Sequence, residues 1–185
     1  MCVLPTRIVF KNERRIFARP CRDLPPGSGC GCLGRHVGRV RREAARRELH
    51  NLDCVRSGFL TCEHAGDRAE FVYFRHALHQ LPDFWKAVAP ERIAAMLRPG
   101  GVFVVRDLFL SCPLSEAHQV VKGSLAHAAD RPEVGWTRAE LETHLSDEHS
   151  TFTWLFEPML TQAGFEIREA TFSDSRIYAD YTFVR

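Results

Sequence analysis

A chain of 185 residues with 45% hydrophobic content can bury an ordinary single-domain core. Its formal net charge of +2 implies no general attraction to nucleic acid, and no apolar run approaches the ~20 residues needed to cross a bilayer. The seven cysteines are scattered rather than framed as in secreted disulfide domains, and MCVLPTRIVFKNERR is too interrupted for a signal peptide, so a reduced, cytoplasmic protein with no membrane partner is expected.

Residues 1–35 mix Pro, Cys, Arg and Gly with little periodicity and are expected to be irregular or poorly ordered. Arginine is dense between Arg7 and Arg47. A nucleic-acid-binding arm would suit that charge, but the segment has no recognisable binding module and no interleaved aromatics, so nucleic acid is not the expected partner. From His36 to His50, Val37, Val40, Ala44 and Leu49 fall near one face of a helix with an arginine-rich outer side. An α/β domain is expected over 36–185, with Leu52–Leu60 as a strand running into a loop and Phe71–Phe74 as the next strand.

Asp83 is the expected N-cap of the following helix, and Pro90 is expected to divide it. Pro99 cannot continue a helix, and Gly100 or Gly101 can take the left-handed conformation that closes one. The strand Val102–Val105 starts at once. Strand, helix and strand with apolar runs on both sides describe a βαβ unit in a parallel sheet.

An inserted lid is expected over 111–150, with helices near Ser115–His127 and Thr137–Leu145. Its His118, His127, His144 and His149, with Asp147 and Glu148, read as a solvated face. Trp136 and Trp154 are expected to pack it onto the domain. Phe152–Ala163 is amphipathic, restarts at Pro158 and stops at Gly164, and Phe165–Phe172 with Ile177–Val184 reads as a terminal antiparallel strand pair. Cys54 and Cys112 suit small core positions. Cys21, Cys30, Cys32 and His36 lack the spacing of structural zinc pairs, so no metal site is expected.

The turn LRPGG followed by a strand and the acidic Asp107 resembles the signature of class I S-adenosylmethionine-dependent methyltransferases. SGFLTCEH, ALHQLPDFWKAVA and STFTWLFEPMLTQAGF, with the closing helix–strand–strand, are similar to the same family from about Leu49 to Arg185. The resemblance implies a Rossmann-like α/β fold: a mostly parallel sheet with an antiparallel C-terminal strand pair. It also implies S-adenosylmethionine as cofactor and a small-molecule acceptor. It places Ser57, Gly58 and Phe59 beside the adenine, and Arg75, His76, Ala77, Leu78 and His79 beneath the methionine portion. In open α/β sheets, ligands sit outside the carboxyl ends of the strands. His79 is the candidate general base or orienting group, because an ordinary imidazole titrates near neutrality; a hydrogen-bonded loop histidine is the competing reading.

The cofactor-binding half departs from the family pattern. Gly29-Cys30-Gly31-Cys32-Leu33-Gly34 matches G-x-G-x-x-G, which makes Gly29 and Gly31 candidate cofactor contacts. The preceding DLPPGS cannot form a central strand. Between Gly31 and Leu52 the pattern requires a helix, a strand and a second helix, roughly 40 residues, and the chain supplies far fewer. The N-terminal βαβ half is therefore expected to be incomplete, and Asp53 precedes the wrong strand to hold a ribose. The alternative reading is a non-catalytic methyltransferase-like remnant that serves as an interaction module.

Overall fold

The computed structural model describes residues 7–11, 15–18, 53–56, 67–129 and 136–185, with isolated positions between them. Three short strands come first: β1 (Arg7–Lys11), β2 (Arg15–Ala18) and β3 (Asp53–Arg56). Then follow β4 (Ala69–Arg75), α1 (Asp83–Met96) and β5 (Leu97–Leu110). The segment 111–150, the expected lid, carries α2 (Ala117–Ala126) and α3 (Arg138–Asp147). The chain closes with β6 (Thr151–Phe152), α4 (Thr153–Gln162), β7 (Glu166–Phe172) and β8 (Tyr178–Val184).

The strands form one sheet in the order β3-β2-β1-β4-β5-β8-β7, with β6 pairing β5 beside this path. β2 to β7 share one direction; β1 and β8 run against them. The sheet is thus mostly parallel in direction and ends in the expected antiparallel pair, β7 with β8. Its N-terminal half departs from a βαβ unit in a specific way. β1 and β2 are joined as an antiparallel hairpin, with Val9 opposite Ile16, so no crossover helix links them. The irregular reading of 1–35 is corrected for these two strands. Their apolar stretches, Ile8-Val9-Phe10 and Ile16-Phe17, are too short to stand out from the surrounding arginines. The remainder of that segment, including the glycine-rich turn, lies outside the described residues.

The core fills the space between β4, β5 and β8 and the helices α1 and α4. Val72 and Phe74 of β4, Phe103 of β5 and Phe183 of β8 are almost wholly buried. Phe109 stacks on Phe156 of α4 with ring centroids 4.1 Å apart. Burying a large aromatic contributes about 1.5–3 kcal/mol relative to leaving it exposed. The helix α1 presents Ala89, Ile93 and Ala94 to this core. That packing accompanies a correction: Pro90 does not divide the helix, which runs from Asp83 to Met96 with core-facing residues on either side of it. The N-cap is Pro82 rather than Asp83, which takes the first helical position and accepts a hydrogen bond from Lys86 Nζ. There its negative charge still complements the helix dipole. Pro158 likewise sits inside α4, which runs unbroken until Gly164 turns with φ +83°.

At the α1–β5 junction the two glycines have separate tasks. Gly100 takes the left-handed conformation, φ +73°, while Gly101 sits where a Cβ would lie 2.8 Å from the Arg98 carbonyl oxygen and 3.0 Å from Leu97 Cδ2. Gly101→Ala is expected to destabilise the fold by about 1–3 kcal/mol through overpacking. Gly123→Ala, in α2 with open space around it, is expected to gain about 0.5–1 kcal/mol. Urea midpoints of the two variants check this, and a Gly101→Ala midpoint at or above that of the parent would contradict it.

A second, smaller core joins the 111–150 segment to the sheet: Cys112, Val120 and Leu141 pack with Leu110 of β5 and Ile177 before β8. Thr137 and Glu140 form a capping box at the start of α3, each side chain accepting from the other's backbone N–H. Trp136 packs against this cluster, and Trp154 donates from its indole to the Cys112 carbonyl at 3.3 Å. Both tryptophans therefore tie the lid to the domain, as expected.

Candidate functional site

β4 and β5 are parallel neighbours, with Arg75 opposite Arg106, so their carboxyl ends lie on one edge of the sheet. The loop leaving β4 begins with His76 in the left-handed region at φ 50°. For a residue with a Cβ this conformation is costly and persists only when surrounding bonds over-determine it. Here the His76 N–H donates to the Arg106 carbonyl at 2.9 Å. The next two amides, Ala77 and Leu78, donate to Asp107 Oδ2 at 2.8 and 2.6 Å. Leu108 N–H donates to Asp107 Oδ1 at 2.8 Å. The carboxylate at the end of the apolar run Val102–Val105 is thus the anchor around which the β4 loop folds.

His79, in the short 3-10 turn Leu78–Gln80, completes that anchor. Its Nδ1 makes a short contact with Asp107 Oδ1, and its Nε2 lies 3.0 Å from Glu148 Oε2. Glu148 follows α3 of the lid, and its Oε2 also pairs with Nδ1 of His144. His144 in turn bonds Ser150 Oγ through Nε2 at 2.8 Å, and its ring meets that of His79 edge-on with centroids 4.8 Å apart. Gln80 donates to Glu148 Oε1 at 3.1 Å. Lys86, fully buried, ties the same region from α1: its Nζ donates to the Leu81 carbonyl, to Asp83 and to the His149 carbonyl. The His149 N–H donates to the His79 carbonyl at 2.7 Å.

Electrostatics follow from this geometry. Burial disfavours a charged His79, but the charge and hydrogen bond of Asp107, together with Glu148, outweigh it and raise its pKa to about 9. Burial would push Asp107 up; the charge and hydrogen bond of His79 and the Ala77 and Leu108 amides hold it at about 2 instead. Glu148, against its own partial burial, is held well below the usual carboxylate range by hydrogen bonds from His144 and His79. His76 differs from its neighbour. Burial lowers it to about 4 although the Asp107 charge opposes the shift, so it is neutral near pH 7. Its ring stands edge-on to Tyr178 at 5.9 Å, where β8 begins beside the end of β5.

The expected site residues fare differently. Arg75, His76 and Ala77 do lie together at the carboxyl end of β4, with Arg75 exposed. Gly29, Gly31, Ser57, Gly58 and Phe59 lie outside the described residues. His79 is fully buried, with Nδ1 against Asp107 and Nε2 against Glu148. The lid's acidic and imidazole groups are not all a solvated face. His144 is buried and Glu148 half-buried against His79, so the solvated reading is corrected for these two. Their i, i+4 spacing at a helix end was a visible signal of a pair. Asp107 was visible as the acid after the strand, but its anchoring part was not.

These elements define an α/β domain whose candidate site is at the carboxyl ends of its central strands, with residues of the 111–150 segment packed against it. More narrowly, the fold is the Rossmann-like one of the class I S-adenosylmethionine-dependent methyltransferases. The [4+2]-cyclase SpnF superposes with a TM-score of 0.55 at 14% identity, covering 80% of this chain and 62% of that protein. The mitomycin 7-O-methyltransferase MmcR gives 0.55 at 16% identity, covering 80% and 39%. An S-adenosylmethionine-dependent methyltransferase from Mesorhizobium loti gives 0.53 at 17% identity, covering 79% and 75%. The chain therefore spans less than two thirds of the length of the first two. No protein-family model and no curated protein matches the sequence. At such identities the likeness defines the fold, and a cyclase among these structures illustrates that chemistry is set by the site.

Proposed function

We propose that the chain is an S-adenosylmethionine-dependent methyltransferase acting on a small-molecule acceptor held between the β4 loop and the lid. The observation that supports this most is the over-determined loop Arg75–His79. A left-handed His76 pinned to β5 and two amides committed to Asp107 fix the backbone where the methionine portion of the cofactor would rest. Bound there, S-adenosylmethionine would supply an activated methyl group, and a protein gains much of its rate in such a transfer by positioning. Arg75, His76 and Ala77 would border the cofactor; Gly58 and Phe59 would border its adenine. His76, neutral and beside Tyr178, is better placed than His79 to orient an acceptor hydroxyl or amine.

The first half of the cofactor site fits less directly. Because β1 runs against β4, its carboxyl end is not on this edge. β2 does end on this edge, and the connection from Ala18 to Asp53 contains Gly29 and Gly31. In this reading Gly29 and Gly31 remain the candidate glycine contacts of the cofactor. The reversed β1 also favours a second reading, a non-catalytic remnant of the fold.

Calorimetric titration of S-adenosylmethionine into the full chain separates the two. The enzyme reading expects saturable binding that weakens about tenfold or more in His76→Ala, roughly 1.4 kcal/mol. A folded protein that produces no binding heat would leave the remnant.

A further inference from the structure

The cluster at the lid–sheet junction has a composition that methyl transfer does not call for: two imidazoles facing one carboxylate. We propose that His79, His144 and Glu148 form a binding site for a divalent transition-metal ion of the zinc class, with Asp107 and Ser150 orienting the two rings. One potential ligand atom from each of the three residues lies within 4.8 Å of the others. Around a tetrahedral zinc with bonds of about 2.0–2.2 Å, neighbouring donors stand roughly 3.3–3.5 Å apart. Both contacts of Glu148 Oε2 with the rings are closer than that and would open slightly to admit an ion, by rotation of the three side chains.

Three features point to a metal rather than to any cluster of polar groups. First, each imidazole has an outward partner that fixes which nitrogen faces Glu148. His79 Nδ1 is held by Asp107, leaving Nε2 inward. His144 Nε2 is bonded to Ser150 Oγ at 2.8 Å, leaving Nδ1 inward. Ligating histidines usually show this arrangement, with the far ring nitrogen bonded to a carboxylate or another polar group. Second, charge balances. Asp107 is wholly buried and Glu148 is 18% exposed, and a divalent cation that displaced the His79 proton would offset both carboxylates between neutral rings. Third, the donors come from two parts of the fold, the turn after β4 and the end of α3. An ion there would lock the lid onto the sheet.

Imidazole donors favour zinc-class ions over magnesium or calcium, which prefer oxygen ligands. With three protein donors, the fourth position falls to water or to a ligand beneath the lid. The inference does not depend on methyl transfer, so failure of cofactor binding leaves it standing.

The test is titration of the tag-free, chelator-stripped full chain with Zn2+ by calorimetry and with Co2+ by visible absorption. The expected result is one ion per chain, with the intense ligand-field bands of a four-coordinate cobalt site. Glu148→Gln and His144→Ala are each expected to lower affinity more than about 100-fold, and Ser150→Ala by roughly 10–100-fold. His118→Ala, exposed on α2, is expected to change nothing. Circular dichroism confirms folding, and if His144→Ala fails to fold, the near-isosteric Glu148→Gln decides. A parent chain that binds no ion, or a Glu148→Gln variant that binds as the parent does, would overturn the proposal.

Discussion

Asp107→Ala is expected to lose about 3–5 kcal/mol of stability, more than any other single change at the site. The carboxylate receives the Ala77, Leu78 and Leu108 amides and the ring of His79, all buried. Removing it strands several donors without water and leaves a protonated imidazole facing one fewer negative charge. The left-handed His76 would lose the bonds that follow it in the loop, so the β4 end should loosen as well. Asp107→Asn keeps an acceptor oxygen but no charge and should fall between the alanine variant and the parent. Urea denaturation of the three proteins gives the ranking; an alanine variant within about 1 kcal/mol of the parent would mean that the loop is held by something else.

The second large effect is a stability maximum near pH 6.5 in metal-free buffer, measured by urea midpoints from about pH 4 to pH 9. His79 titrates near 9 in the folded protein and near 6.5 when unfolded. Its contribution is complete below 6.5 and is lost as pH rises through 9. The size is on the order of 3 kcal/mol, counted once because Asp107 shares the same interaction. Asp107 acts in the other direction, being depressed to about 2 from 3.8, so its share is present above 3.8 and disappears as pH falls through 2. His76 shapes the range between. With a folded pKa near 4, it is neutral in the fold while the unfolded chain takes up a proton below 6.5. Stability therefore falls as pH drops from 6.5 towards 4, by less than His79 contributes because the ring is partly exposed. In Asp107→Asn the alkaline limb should flatten, and in His76→Gln the acid limb. A parent profile that rises steadily from pH 6.5 to 9 would contradict the assignment of the buried charge to His79.

Much of this arrangement is legible in the sequence where local pattern and tertiary environment agree. The apolar runs of β4 and β5, the stop at Leu97–Gly101 and the closing Gly164 turn each have a local cause that the fold preserves. Pro90 shows the opposite case, a local breaker inside a helix that runs on, with Ala89, Ile93 and Ala94 packed into the core. The lid misleads for a related reason. His144 and Glu148 stand in a polar, charged stretch whose local pattern does not announce their burial. Their partner is His79, brought across from the end of β4 by the parallel pairing of β4 and β5. The β1–β2 hairpin is hidden by brevity, since strands of five and four residues among arginines carry little periodic signal. Its consequence is large, because reversing one central strand removes the loop from which the fold ordinarily builds its glycine-rich turn.

In the proposed enzyme the loop after β4 serves a cofactor despite that reversed strand. Addition of S-adenosylmethionine to the nitrogen-15-labelled full chain, followed by amide chemical shifts, addresses it residue by residue. The account predicts saturable shifts at Arg75, His76 and Ala77 together with Gly29, Gly31 and Gly58, and little change along β7 at the far edge of the sheet. A well-dispersed spectrum that does not move at those positions at millimolar ligand, or that moves only elsewhere, would contradict it.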